Sequence, residues 1–221
     1  MMPQWLKAGL LTVLWLFLPL SARAGDETRE YTYRFESPRF DITFSEIKVM
    51  ANGEGQLRYK KRDEDEEILI KMKLLPATVG RLGELFETLR FLDSNESYQT
   101  DKQFPHLGTI TLGLRAQGRA REVHFNYTEN RTASQLVELF RAIENQQRRY
   151  EDMTLARRHT PLDLPRQLKN LEAELKKDRL AEPSQFLPLL KEITLDDSLP
   201  LIARNAADRL AKQIEHTRAK H

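Results

Sequence analysis

The side chains best placed to do chemistry lie on two runs in which apolar and polar residues alternate. Gln117-Gly118 separates these runs and is a pair that fits a two-residue hairpin turn. With that turn, residues whose numbers sum to 235 face each other, so Thr111 faces His124 and Thr109 faces Asn126. The polar row then combines hydroxyl, carboxylate, imidazole and amide groups, which can bind a polar ligand or metal ion or support hydrolysis. The candidate ligand-binding residues are His106, Thr111, Glu122, His124 and Asn126.

The same alternation also describes the solvent face of an ordinary antiparallel sheet. The sequence contains no H-E-x-x-H, no G-x-S-x-G, no phosphate-binding glycine loop and no calcium-loop pattern. It also contains no cysteine, which excludes disulfides, thiolate catalysis and cysteine-bound zinc. We therefore assign no catalytic residue, no metal ligand and no cofactor, and an enzyme is the less favoured alternative.

The charge balance argues against a nucleic-acid partner. The chain has 35 basic and 33 acidic residues. Lys7 and Arg23 lie in an N-terminal segment that we expect to be removed, which leaves 33 basic against 33 acidic residues. A formal charge of zero lacks the positive surface that binding to phosphates requires.

Residues 1–24 have the three parts of a secretory signal peptide. Lys7 precedes an apolar run from Ala8 to Leu20, and Ala22-Arg23-Ala24 offers small residues for cleavage before Gly25. The apolar run is shorter than the ~20 residues that a membrane-spanning helix needs. We expect cleavage after Ala24 and a periplasmic or secreted protein with no membrane span after signal removal. An uncleaved N-terminal anchor is the alternative.

Residues 25–150 are predicted to form an α+β domain, in which an antiparallel sheet of hairpins packs against two helices. The apolar period is two over most of residues 31–127, with one helical stretch, and becomes helical after Thr132. A change of apolar parity predicts a bulge near Ser45 or Glu46. The same parity predicts an odd-length turn at Asn52-Gly53. Thr132 and Gln135 have the spacing of a capping box, which predicts that the second helix begins there.

Residues 151–162 are predicted to be a linker that stays helical to His159 and breaks at Thr160-Pro161, and residues 163–221 a helical tail. Two apolar segments separated by a turn, 186–193 and 200–210, resemble a single HEAT repeat covering residues 185–214. This resemblance implies a role in interaction rather than catalysis, and an unrelated helical hairpin remains the alternative. Because one repeat cannot bury its own apolar face, we expect the tail to pack on the α+β domain.

Residues 40–147 also resemble small secreted bacterial domains of unassigned function, a resemblance that transfers no site residues. Together these observations favour an exported, non-catalytic protein-interaction module of the bacterial envelope, whose partner is a protein or another envelope component. One alternative is a ligand- or metal-binding protein or hydrolase that uses the polar row around His124. The other is a structural subunit of an envelope assembly, which would expose apolar surface on its helices.

Overall fold

The computed structural model describes residues 29–218 and has an α+β fold, as predicted. The signal-peptide prediction lies outside these residues. Six strands form one sheet: β1 (Glu30–Glu36), β2 (Ile42–Met50), β3 (Glu54–Lys61), β4 (Ile68–Lys73), β5 (Thr109–Ala116) and β6 (Arg119–Phe125). The α-helices are α1 (Pro76–Thr88), α2 (Arg131–His159), α3 (Leu164–Lys176), α4 (Leu187–Leu195) and α5 (Leu201–Arg218). None of the helices in this part of the chain is long and apolar enough to cross a membrane.

The sheet is antiparallel throughout, with the strand order β4-β3-β2-β1-β5-β6. Its two predicted turns are confirmed. Ala51, Asn52 and Gly53 form a three-residue connection between β2 and β3, and Gly53 takes a φ of 86° that favours glycine. Gln117 and Gly118 both have positive φ and place Thr111 opposite His124, as the sum of 235 requires.

The bulge in β2 lies earlier than predicted, between Ile42 and Phe44 rather than at Ser45 or Glu46. Ser45 continues the inward row of β2 despite its polar side chain, since its hydroxyl donates a hydrogen bond to Glu144 at 3.0 Å. Phe44 points to the outer face, where the Arg58 guanidinium lies 5.2 Å from its ring. The apolar alternation predicted the wrong position because it treats the polar Ser45 as an outward residue and the apolar Phe44 as an inward one.

Three rows of inward side chains cross the sheet. The first row, whose members on the central strands are Val49, Tyr31 and Leu114, lies under α1, where Tyr31 stacks on Phe86 at 5.5 Å. The second row lies under α2, where Tyr33 stacks on Phe140 at 5.3 Å. The third row lies beyond α2 and consists of Tyr59, Ser45, Phe35, Ile110 and Phe125. Four of these five side chains are at most 5% exposed, so the third row is covered except at Phe35, which is only partly buried.

Helix α2 begins at Arg131, and its N-cap is Asn130 rather than the predicted Thr132. The Asn130 side chain accepts a hydrogen bond from the Ala133 backbone N–H, so it supplies the cap that the Thr132–Gln135 spacing predicted two residues later. The helix continues to His159, so residues 151–159 of the predicted linker, 151–162, belong to the second half of α2. Met153 and Ala156, in that half, are buried against the tail.

We had expected the tail to bury its apolar face on the α+β domain, but this face packs within the tail and against the second half of α2. Its helices form a second core with the end of α2, and its largest members include Met153, Leu168, Phe186, Leu190 and Leu210. This core is separate from the one between the sheet, α1 and the first half of α2. The apolar face of the tail is therefore covered by its own helices and by α2.

Polar groups form the contact between the tail and the sheet domain. The Glu182 carboxylate accepts a hydrogen bond from the Leu75 backbone N–H at 2.7 Å, and the Glu182 backbone N–H donates to the Gln146 side chain at 2.6 Å. The Gln185 amide donates to the Lys73 carbonyl at 3.0 Å and also contacts the Glu182 carboxylate. We call Gln146, Glu182 and Gln185, with the Lys73 and Leu75 backbone groups, the junction network.

Candidate functional site

The structure places Thr111, Glu122 and His124 together on the outer face of the β5–β6 hairpin. Thr111 Oγ1 lies 2.9 Å from His124 Nδ1, which is hydrogen-bonding distance. Glu122 faces Gly113 across the hairpin, and Thr111 and Glu122 help to line a depression of about 290 Å³ on this face. These three predicted candidates are therefore neighbours.

The other two candidates lie elsewhere. Strand β6 ends at Phe125, so Asn126 does not extend the polar row opposite Thr109. The Asn126 side chain instead accepts hydrogen bonds from Gln99 and from the Phe104 backbone N–H, both at 3.1 Å. His106 lies in a short 3-10 turn, with its ring edge-on to Phe104 at 6.1 Å. Both were misplaced because the irregular loop before β5 carries no periodicity.

The depression on the outer face is lined almost entirely by charged and hydroxyl side chains. Arg115 lies 3.8 Å from Glu30, and Glu46 is paired with Lys48 at 3.4 Å and Arg58 at 3.1 Å. Within residues 29–218, no group of three or more histidine, aspartate or glutamate side chains is arranged to hold a metal ion. This geometry fits a solvated sheet face on which opposite charges pair across strands.

Replacing His124 with Gln is expected to change the free energy of unfolding by less than about 1 kcal/mol, because His124 is exposed and Gln can also hydrogen bond to Thr111. Chemical denaturation of the parent and the variant measures this difference. Zinc titration by calorimetry should give the same result for both proteins. Zinc binding that the parent has and the variant lacks would contradict this expectation and favour a metal site in the polar row.

A cleft of about 1170 Å³ lies on the opposite face of the sheet. One wall is the outer side of α2, from Ser134 to Arg148. The facing wall is the β1–β2 turn, and Leu107 and Tyr127 close one end. The floor contains Phe35, Ile110 and Phe125 of the third inward row, with Phe40 and Tyr127 at its margins. We call this space, between α2 and the third row, the cleft.

Aromatic and aliphatic side chains give the cleft an apolar floor. Phe40 and Tyr127 are both 44% exposed although they are large and apolar. Each is supported from behind by another ring, Phe40 by Phe35 at 5.5 Å and Tyr127 by Phe104 at 5.2 Å. Rings held in place by other rings offer contact area at low entropic cost, which is typical of interaction surfaces.

Charged groups line the α2 wall. Burial raises the pKa of Tyr33 to about 12, and the nearby Arg141 guanidinium, which donates a hydrogen bond to the Tyr33 hydroxyl, partly offsets this rise. The Glu144 carboxylate accepts hydrogen bonds from the Ser45 hydroxyl at 3.0 Å and from the Arg148 guanidinium at 3.4 Å. The Tyr33 phenol is therefore neutral at physiological pH, and Arg141 has no carboxylate partner among the described residues.

The tail contributes the last part of the cleft, a turn that follows α3. Lys177, Asp178 and Arg179 line the cleft there, and Asp178 has a φ of 52°. The bond from the Glu182 N–H to Gln146 places this turn beside the second half of the α2 wall. Within residues 29–218, neither Lys177 nor Arg179 forms an ion pair. The cleft thus has unpaired basic groups at this end.

The sequence did not reveal the cleft, although its floor residues were predicted to be strand residues. Phe35, Phe40 and Ile42 fit the alternation of a buried strand face. The available signal was the Ser37-Pro38 break, which places Phe40 in a turn rather than in a strand. Lys177 and Arg179 are far from these residues in sequence, so only the path of α2 brings them together.

Comparisons with known proteins identify no relative. No family model matches the chain, and none of the curated proteins matches it. The cleft and the polar row are therefore the features of the molecule that bear on its function.

Proposed function

We propose that the protein is an exported, non-catalytic interaction module of the bacterial envelope and that it binds another protein through the cleft. The observation that carries the proposal is the exposed apolar floor around Phe40 and Tyr127, bordered by unpaired basic side chains. Apolar centres that contain aromatic residues and have polar rims are typical of protein interfaces. The HEAT-like pair in the tail is consistent with the same class of function.

The arrangement of ionisable groups favours binding over catalysis. In the cleft, Glu144 is bound to Ser45 and Arg148, and the Tyr33 phenol stays protonated at physiological pH. In the polar row, His124 contacts Thr111 on an open face without the walls of a substrate pocket. A general acid or base needs a substrate position within hydrogen-bonding reach and sheltered from water. Neither location combines a free acid or base with a closed pocket.

Capture from the native envelope tests the proposal. Tagged protein should retain a partner that a Phe40→Asp variant loses at least tenfold, because the new carboxylate places a charge on the apolar floor. Leu155→Asp is the matched control, since Leu155 is 45% exposed and lies on α2 outside the cleft. Quantitative mass spectrometry of the captured proteins measures the ratio, and circular dichroism checks that both variants are folded.

The structural-subunit alternative has its own supporting observation. Leu162, Leu195, Leu201 and Ile202 are all strongly exposed on the tail or at the end of its helices. A partner retained by Phe40→Asp but lost when Leu201 and Ile202 are both changed to Asp would contradict binding through the cleft. That result would favour assembly through the helical tail.

Export belongs to the proposal and has a separate test. Because the small residues Ala22 and Ala24 precede Gly25, the protein recovered from its native host is expected to begin at Gly25. Mass spectrometry of the intact protein and of its N-terminal peptide measures this. An intact Met1 in the same fraction would contradict cleavage and favour the membrane-anchored alternative.

A further inference from the structure

We infer that the cleft binds an amphipathic α-helix of the partner protein, which would lie beside α2 as a third helix over the sheet. This inference rests on the proposed function and specifies the partner's structure. Helix α1 covers the first inward row and α2 the second, whereas Phe35 in the third row is only partly buried and faces the cleft. A partner helix beside α2 would cover Phe35 together with Phe40 and Tyr127, which are each 44% exposed.

The dimensions of the cleft agree with a short helix. A helix about 10 Å across and ~15 Å long occupies roughly 1,200 Å³ and contains about ten residues. The cleft has a volume of about 1170 Å³. Helices pack at interaxial distances of ~8–10 Å, so such a helix could contact α2 and the sheet at the same time.

The position of the cleft on the sheet distinguishes a helix from an extended segment. A bound strand gains affinity by pairing its backbone with the edge of a sheet. Within the third row, Ser45, Phe35 and Ile110 lie on the face of the central strands β2, β1 and β5, which are paired on both sides, and Phe125 is the last residue of the edge strand β6. An extended segment in the cleft would leave its backbone groups without these partners, whereas a helix satisfies its own.

Charge complementarity specifies the flanks of the helix. Three basic side chains line the cleft without an ion pair to another described residue: Lys177 and Arg179 at the α2–tail end, and Arg141 on α2 between Glu138 and Gln146. Asp178 is the acidic group in the same turn, so this end keeps a net positive charge. Glu138 lies about 12 Å before Gln146 along α2, toward the other end. The helix is therefore expected to place acidic residues beside Lys177 and Arg179.

Site-specific photo-crosslinking tests the inference in the native host. The full chain carries p-benzoylphenylalanine at Phe40, Leu107 or Tyr127, with Leu155 as the control position outside the cleft. Mass spectrometry then identifies the partner residues that are crosslinked. The inference expects these residues to repeat every three or four positions in one segment that also contains Asp or Glu. Changing both Lys177 and Arg179 to Glu should reduce the yield at least fivefold, whereas Lys169→Glu on the exposed face of α3 should not.

Other outcomes overturn the inference in distinguishable ways. Crosslinks to alternate residues of a partner protein would indicate an extended segment and leave the proposed function intact. Crosslinks to a lipid or to a second copy of this chain would overturn both the helix and the proposed partner. Both proposals would also be overturned if no cleft position gave a crosslink while capture of the partner was still lost on changing Leu201 and Ile202 to Asp. An unchanged yield after reversal of the two basic charges would contradict the acidic flank.

Discussion

Replacing Leu189 with Asp is expected to lower the free energy of unfolding by about 4 kcal/mol, because the new carboxylate would lie in the second core without a partner. Leu189 is 4% exposed on α4 and is packed among the buried residues of the tail. The cost includes the lost apolar contacts and the desolvation of the charge. Urea denaturation followed by far-ultraviolet circular dichroism measures the change.

Helix α4 provides a matched control for this substitution. Leu195 is 80% exposed near the C-terminal end of the same helix, so Leu195→Asp adds the same charge without burying it. We expect its effect to stay below about 1 kcal/mol. A similar loss in both variants would contradict the assignment of Leu189 to a buried core. The comparison therefore separates burial from a general effect of charge on the tail.

The Leu189 variant also tests whether the two cores unfold together. Helix α2 contributes Phe140 to the first core and Met153 to the second, and it is continuous between them. Tyrosine fluorescence reports mainly on the sheet domain, where Tyr31, Tyr33 and Tyr59 are buried. A transition seen by fluorescence at the same urea concentration as by circular dichroism would show that the cores unfold as one unit.

The sheet could be predicted from the sequence because the residues that specify each strand and each turn are neighbours in the sequence. Alternation at Tyr31, Tyr33 and Phe35 identifies β1 and its inward face, and the turn Gln117-Gly118 fixes the register of the last hairpin. A period of two leaves little freedom, because a shift of one residue would turn every side chain to the other face. The contact between Thr111 and His124 follows from the same local rule.

The cleft and the tail contact could not be predicted because they depend on where α2 ends and on what it touches. The second half of α2 is rich in charged residues, so Met153 and Ala156 gave no clear apolar stripe. Ser45 and Glu144 are 99 residues apart, and no pattern indicates their hydrogen bond. Buried polar pairs of this kind are set by tertiary structure, and this one explains the error in the position of the bulge.

The junction network offers the most specific test of how the tail is held. Glu182 is 3% exposed, and its carboxylate accepts a hydrogen bond from Leu75, the residue that precedes α1. Pro76, the first residue of that helix, has no backbone N–H, so the Leu75 N–H is the first donor at this helix end. Negative charge at a helix N-terminus is also stabilised by the helix dipole. Glu182 thus acts as a cap for α1 that comes from the tail.

Replacing Glu182 with Ala is therefore expected to lower the free energy of unfolding by about 3 kcal/mol, because it leaves the Leu75 N–H and the Gln185 amide without their carboxylate acceptor. In a chain of this size the midpoint of thermal unfolding should fall by about 10 °C. Glu66→Ala, in the exposed β3–β4 connection, should change it by about 1 °C or less. Hydrogen exchange should show faster exchange at the start of α1 in the Glu182 variant. If the variant showed unchanged hydrogen exchange at the start of α1 and the same melting midpoint as the parent, Glu182 would not act as a cap. The sheet domain and the tail would then be connected through α2 rather than through this cap.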